Sequence, residues 1–322
     1  MSQVAVIGCG VIGLTSALAI QRSIRNTKVT IFTKDITPNT TGDVAAGLWE
    51  PYLVDDTEEK SFGGKAKEAG ISLQPIINLS DKRDHKIPDW VNVTLGHSEL
   101  SRDHLVNLSR RYNKNFTAGY LFVSFTWEAS YFLPFLQREF EKNGGRVVMK
   151  EIKDFNELAH YDVIVNCTGL ESRNLTGDKK VSPIRGQIAR VRGPWQFHTY
   201  IVDSEKSCYI IPNINCVILG GTKQSSYNIE VDEVDKQEIL SKCSDLLPAI
   251  KAAEVIKHQV GLRPGRDKVR LEIEIKERDK DTIKIVHNYG HGGSGITLSV
   301  GCAVEAAELV EKVLNQRNKS KL

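Results

Sequence analysis

The sequence has no long apolar run. Nothing in its 322 residues approaches the ~18 consecutive apolar positions that span a bilayer, so no membrane partner is expected. It also has no basic segment ahead of its first apolar stretch. Met1 to Gly10 runs straight into a buried-strand pattern, which argues against a secretory leader. Cysteine is sparse and unpatterned. Cys9, Cys167, Cys208, Cys216, Cys243 and Cys302 form no Cys-x-x-Cys pair and no regular framework, which fits reduced thiols. Charge of one sign is missing too: a scattered net charge of +3 excludes nucleic acid as the main partner. Internal repeats and low-complexity linkers are absent. What remains is a globular composition, 40% hydrophobic and 26% charged, in a chain long enough to favour two lobes over one.

The apolar pattern places the first elements. Val4 to Ile7 is a short buried strand, Leu14 to Ile20 a helix, and Lys28 to Phe32 a β-branched second strand. That order predicts a parallel βαβ unit. Tyr131 to Lys142 reads as a helix stopped by Asn143-Gly144-Gly145, and Val163 to Val165 as a strand. Ile283 to Val286 reads as a strand, followed by Gly290-His-Gly-Gly-Ser-Gly295 and a helix from about Thr297 to Leu314. Between these blocks the texture changes. Ile188 to Val191, Cys208 to Ile211, Val217 to Leu219, Val255 to Val260 and Val269 to Ile275 suggest a mostly antiparallel sheet. The expected architecture is α/β: a Rossmann-type nucleotide domain with an interleaved, mostly antiparallel β-rich second domain.

Gly8-Cys9-Gly10-Val11-Ile12-Gly13 is a GxGxxG turn after a strand and before a helix. The first glycine allows the tight turn, the second a close approach to a pyrophosphate, the third close helix–strand packing. The helix N-terminus then offers N–H groups and a positive dipole end to phosphate. An acid about 20 residues further on would hold a ribose hydroxyl. Asp35 lies near that place, but Thr33 and Lys34 sit closer to the strand end, so a ribose contact and a solvated loop residue both stand. The further glycine-rich stretches, Asn166-Cys-Thr-Gly169 and Gly290 to Gly295, suggest a long cofactor contacted at several points. The helix after Gly295 presents a second positive end, suited to charge on a reduced flavin ring.

Several motifs together resemble the D-amino-acid oxidase and D-aspartate oxidase family. They are Asp43-Val-Ala-Ala-Gly-Leu-Trp-Glu-Pro-Tyr52, Asn166-Cys-Thr-Gly169, Arg185-Gly-Gln187, Tyr209-Ile-Ile-Pro212, Gly261-Leu-Arg-Pro264 and His287-Asn-Tyr-Gly-His-Gly-Gly-Ser-Gly295. The resemblance implies FAD as cofactor and a D-amino acid and O2 as substrates, with release of a 2-oxo acid, ammonia and hydrogen peroxide. It implies FAD contacts at Gly8, Gly10, Val11, Ile12, Gly13, Thr40, Thr41, Ala46, Gly47 and Leu48. It adds Thr168, Gly293, Ser294, Gly295, Ile296 and Thr297 from later segments. The substrate α-carboxylate would be held by Arg263 and Tyr209, and the carbonyl of Gly293 would accept from the amine. Hydride transfer to a flavin needs only that Cα be held over the ring, so no catalytic side chain is assigned. His291 is expected to be structural, and Arg266 and Arg270 to be solvated strand-end charges. The resemblance divides the chain into an FAD-binding domain, 1–52, 134–182 and 261–322, and a substrate domain, 53–133 and 183–260. It also implies peroxisomal residence, and Ser320-Lys321-Leu322 matches the address read by the peroxisomal import receptor.

The preferred side chain is a closer matter. Gly169-Leu-Glu-Ser-Arg-Asn-Leu-Thr-Gly-Asp178, Gly220-Gly-Thr-Lys-Gln224 and the short loop from Trp195 to Tyr209 resemble the acidic-substrate branch. Lys223 is placed to meet a side-chain carboxylate. Against this, Leu48 to Tyr52 resembles the neutral-substrate branch, with Glu50 where glutamine is usual. A carboxylate beside Tyr52 would favour basic side chains. The segment from Asp55 to Leu73 is also shorter than the family pattern. Acidic substrates are the first expectation and neutral or basic ones the second. A nicotinamide dehydrogenase and an impaired flavin-binding relative are the rivals in other classes.

Overall fold

A computed structural model describes residues 1–48, 64–82, 85–205, 207–278 and 282–319. Glu50, Tyr52, the Ser320 to Leu322 tripeptide and residues 55–63 of the shortened segment lie outside them. In chain order the strands are β1 (Ser2–Ile7), β2 (Thr27–Thr33), β3 (Ile71–Ser80), β4 (Leu95–Glu99), β5 (Ala118–Trp127), β6 (Arg146–Met149) and β7 (Val163–Asn166). They continue with β8 (Ser182–Val191), β9 (Thr199–Asp203), β10 (Cys208–Pro212), β11 (Val217–Gly220), β12 (Val255–Gly265), β13 (Arg270–Glu277) and β14 (Thr282–Tyr289). The longer helices used below are α1 (Val11–Ser23), α2 (Ala129–Lys142), α3 (Glu233–Leu246) and α4 (Gly295–Lys319).

The chain divides into two compact units. One comprises Met1–Ala45, Ser130–Ile184 and Leu262–Leu322, the other Ala46–Ala129 and Arg185–Gly261. The first unit carries a six-stranded sheet in the order β13-β14-β7-β1-β2-β6. From β14 to β6 the neighbours run parallel, and β13 joins antiparallel at the edge. Its central strands read as unbroken apolar runs because both faces are covered. Val4, Ala5, Val6, Val163, Ile164 and Val165 are all buried. Ala5, Ile7, Phe32, Ile164 and Ile285 form one core cluster with Phe155 and Leu158. Helices α1 and α4 are stitched together by Thr15 Oγ1, which donates to the Ser299 carbonyl at 3.1 Å. Asn288 of β14 donates to Ser16 of α1 at 3.0 Å.

The second unit carries an eight-stranded sheet, β12-β8-β11-β10-β9-β3-β5-β4. The pairings of β8, β11, β10 and β9, and of β3, β5 and β4, are antiparallel, while β3 meets β9 in parallel. Ile210 and Leu219 of the sheet pack with Ile239, Cys243 and Leu246 of α3. One sequence expectation is corrected here. Val269 to Ile275 shares the texture of the second sheet, yet β13 pairs with β14 along the first. An antiparallel edge strand alternates in the same way wherever it docks, so texture alone does not assign its sheet. No described helix is long and apolar enough to cross a membrane.

Candidate active site

Parallel neighbours end at the same edge of a sheet. The loops after β1, β7 and β14 therefore emerge side by side, with the loop after β2 beyond β1. The chain steps from β1 to β2 on one side and returns through β7 on the other. Such a switch in strand order is where α/β sheets bind ligands.

The turn after β1 is built for close backbone approach. Gly8 has φ +105°, and a Cβ there would lie 2.6 Å from the Cys167 carbonyl oxygen of the loop after β7. A Cβ on Gly13 would overlap the carbonyl oxygen of Gly8. Gly10 differs: nothing stands within 4 Å of the position its Cβ would take. Gly10 is also the N-cap of α1, with no side-chain cap and no acid in the first turn. The first N–H groups of α1 thus have neither a side-chain cap nor a first-turn carboxylate in competition, and the backbone at Gly10 is open to a ligand. Helix α4 begins beside them, since a Cβ on Gly295 would stand 4.0 Å from Val11 Cγ1, and it too has no acid in its first turn. Two positive helix ends meet at the mouth of the fingerprint. This arrangement fits a diphosphate, and Gly8, Gly10 and Gly13 would hold it.

The turn before α4 carries the candidate substrate contacts of this unit. Gly292 N–H donates to the Pro264 carbonyl at 2.9 Å and Ser294 N–H to the His291 carbonyl at 3.0 Å. This ties the turn to the segment holding Arg263. A Cβ on Gly293 would stand 3.5 Å from Arg263 Cδ, so the half-buried arginine lies along the glycine turn. Ile296 and Thr297 are buried in the first turn of α4.

The other predicted contacts are placed as follows. Thr168 donates through N and Oγ1 to Asn166 Oδ1, and its hydroxyl meets Ser172 Oγ at 2.7 Å. Thr40 caps its own turn, with N and Oγ1 donating to Asp43 Oδ2. Thr41 Oγ1 donates to the Leu262 carbonyl at 3.4 Å. Asp35 is exposed, and its carbonyl accepts from Thr33 Oγ1 at 2.7 Å. Lys34 reaches the other way, with Nζ 3.1 Å from Glu171 Oε1, and so links the loops after β2 and β7. Both side chains are nearly half exposed, which keeps the pair's own contribution small. Ala46, Gly47 and Leu48 open the second unit. The Ala46 carbonyl accepts from Asn213, the Gly47 carbonyl from Trp127 N–H, and Leu48 bridges to Thr126.

Tyr209 lies on β10 of the second unit, opposite Gly220 of β11. Its ring covers the two glycines: a Cβ on Gly220 would overlap the ring, and one on Gly221 would stand 2.7 Å from Oη. The turn from Gly220 to Gln224 is held by backbone pairing of Gln224 with Arg185 and by Thr222 Oγ1, which accepts from Gln187 N–H. Lys223 projects from this turn and is exposed.

Arg185, quoted above only as part of a motif, turns out to be the brace. It is 2% exposed, and its guanidinium donates to the Asn228 and Glu230 carbonyls and to Gln224, Asp235 and Gln187. Every donor of the fork is used. The Arg-Gly-Gln triplet was visible in the sequence. Its partners, 39 to 50 residues further on, were not.

Two expected solvated charges are corrected. Arg266 Nε lies 2.9 Å from Asp178 Oδ2 with its side chain 15% exposed. Arg270 is 18% exposed and bonds Glu272, Glu274 and Tyr289. Burial works against the charge on Asp178, yet the Arg266 hydrogen bond and those of Lys180 N–H and Tyr289 hold its carboxyl below the usual range. His291 is buried in the glycine turn, with no hydrogen-bond partner for Nε2 among the described residues. Burial pushes His291 down from 6.5 to about 4. Burial, with Arg270 nearby, does the same to His287 of β14. Both are neutral at neutral pH.

Two outcomes follow from this geometry. Gly10→Ala meets open space in the protein alone, so it should cost less than about 1 kcal/mol of fold stability. It should weaken FAD binding by roughly tenfold or more, read by fluorescence titration. Gly13→Ala should lower fold stability itself. The second outcome concerns acid. The folded chain resists protonating His287 and His291, whereas the unfolded chain protonates them below 6.5. Stability is therefore complete above 6.5 and lost as pH falls towards 4, by on the order of 2 kcal/mol per histidine at pH 5. Asp178 and Glu274, both held low, lose their contribution only below about 4. Urea midpoints at pH 7.5 and 5 test this, and His291→Gln should shrink the difference.

Residues 3–309 match the family model for FAD dependent oxidoreductases. The chain is 35% identical to human D-aspartate oxidase, covering 98% of this chain and 96% of that one. It is 34% identical to a D-amino acid oxidase of Dugesia ryukyuensis, covering 97% and 98%. Glycine oxidase from Geobacillus kaustophilus superposes with a TM-score of 0.76 at 18% identity, over 97% of this chain and 95% of that one, a likeness of fold. The nicotinamide reading gives way to FAD. This chain belongs to the FAD-dependent oxidoreductase family, on the branch that holds the D-aspartate and D-amino-acid oxidases.

Proposed function

We propose that the protein oxidises D-amino acids with O2 to 2-oxo acids, ammonia and hydrogen peroxide, and that it favours acidic side chains. The observation that carries this reading is the half-buried Arg263 lying along the Gly293 turn, beside the convergent ends of α1 and α4. A planar guanidinium offers a carboxylate two parallel, charge-assisted hydrogen bonds. The Gly293 carbonyl is the acceptor for the substrate amine. Holding carboxylate and amine at once fixes where the α-hydrogen points, and that orientation supplies much of the rate. The role of Tyr209, a phenol donor to the same carboxylate, is carried by the resemblance. FAD, held at Gly8, Gly10 and Gly13, would supply the acceptor for the α-hydrogen and its electrons, with O2 as the final oxidant. The chain's residues need not move a proton by a dedicated base. His291, buried and neutral, is assigned no such part.

The acidic preference rests on Lys223, an exposed cation on a turn braced by Arg185. Attraction to a distal carboxylate would favour D-aspartate and D-glutamate. Glu50 supports the competing preference for basic substrates.

Peroxide release by the holoenzyme across D-aspartate, D-glutamate, D-alanine and D-arginine tests the reading. D-Aspartate should give the highest kcat/KM. Arg263→Ala should lower it by about 2–5 kcal/mol while the flavin stays bound. Fastest turnover of D-arginine would transfer the preference to Glu50. Bound flavin with no peroxide from any substrate would make the chain an impaired relative.

A further inference from the structure

The six cysteines are not alike. Burial pushes Cys9 and Cys167 up to about 12 and Cys302 to about 11. Cys208 goes the other way, first through its interaction with the Cys243 side chain, against the effect of burial. The geometry beneath this is reciprocal. Cys208 begins β10, and Cys243 lies in the last turn of α3. Cys208 Sγ approaches the carbonyl of Lys242 at 4.0 Å, and Cys243 Sγ donates to the carbonyl of Tyr209 at 3.6 Å. Each sulfur touches the backbone of the other cysteine's neighbour. Both side chains belong to one hydrophobic core cluster, 5% and 0% exposed. Around Cys208, Lys114 and Lys242 favour a thiolate and Asp245 opposes it.

We propose that Cys208 and Cys243 are a dithiol modification site that hydrogen peroxide closes to a disulfide, loosening the hold of Tyr209 on substrate. The source of the peroxide and the substrate role of Tyr209 rest on the function proposed above; the dithiol site does not. The Cys208 thiolate attacks one peroxide oxygen, the O–O bond breaks, and with one proton a water leaves, giving a sulfenic acid. Cys243 sulfur then attacks the Cys208 sulfur, and the hydroxyl leaves with the Cys243 proton as a second water. In sum two thiols are oxidised and one peroxide is reduced to two waters. Once the bond forms, Cys243 has no S–H to donate to the Tyr209 carbonyl, and β10 is tied to α3 one residue from Tyr209. The ring of Tyr209 stands in tight contact with Gly220 and Gly221, so a small displacement of β10 has no slack to absorb it. Product would thereby restrain its own formation.

The test begins with the purified holoenzyme treated with added peroxide, which needs no turnover. Thiol titration of the denatured protein should find two fewer of the six thiols. Intact mass should fall by two hydrogens, digestion should give a peptide joining Cys208 to Cys243, and dithiothreitol should reverse all three. KM for D-aspartate should rise by roughly twofold to tenfold, the worth of about one hydrogen bond, with kcat little changed. Cys208→Ser and Cys243→Ser, which each keep a donor at the same position, should keep basal activity and lose this response. Six surviving thiols, a cross-link between other cysteines, or oxygen added to Cys208 without a cross-link would overturn the site. A Cys208–Cys243 disulfide with unchanged KM would overturn the link to Tyr209. A second arm replaces added peroxide by turnover of D-aspartate, with and without catalase. Closure by added peroxide but no peroxide from turnover would sink the proposed function and leave the site standing.

Discussion

Everything at the mouth of the first sheet depends on how closely three backbones approach. Gly8 and Gly13 touch across the turn after β1, and Gly8 also meets the Cys167 carbonyl after β7. No residue with a Cβ could hold those positions. The closeness draws α1 down onto β1 with its first N–H groups uncapped. It also places that end beside the start of α4. A site that gathers positive dipole ends and excludes carboxylates is suited to a ligand that brings its own negative charge. The local physics calls for a diphosphate, and the family assignment names FAD as the cofactor that carries it.

Some of this was legible from the sequence and some was not, for definable reasons. The β1–α1–β2 unit showed plainly because β1 ends in an unbroken buried apolar run and β2 is rich in β-branched residues, with an apolar helix between them. The long β3–β5 pair did not show. Gln74, Asn78, Ser124 and Thr126 are buried polar residues that break the alternation. Gln74 is satisfied from afar, donating to the Pro212 carbonyl and accepting from Thr199. Such residues look like loop in one dimension and become strand only when a distant partner supplies the hydrogen bond. The glycines of the site were readable because glycine itself is the signal. The ion pairs were not, since Arg266 and Arg270 announce no partner until Asp178 and Glu274 fold against them.

The second unit puts a polar brace to a similar use. Arg185 gathers two carbonyls and three side chains into one buried knot, and the backbone of the same stretch fixes the turn under Tyr209. A buried charge is tolerable only when each donor is met, and the knot then allows a single arrangement of the turn. The Lys223 turn and the Tyr209 ring that packs on its glycines both inherit that rigidity. The Cys208–Cys243 pair lies where β10 and α3 share one hydrophobic core cluster.

Cofactor binding at the first sheet depends on recognition of a diphosphate by uncapped N–H groups at the start of α1. Equilibrium titration of the apoprotein with FAD and with riboflavin, which carries the ring but no phosphate, tests this directly. FAD should bind one per chain and at least about a hundredfold more tightly than riboflavin, the worth of one or two charge-assisted hydrogen bonds. Equal affinity for the two would show that the glycine turn holds no diphosphate and would contradict the account.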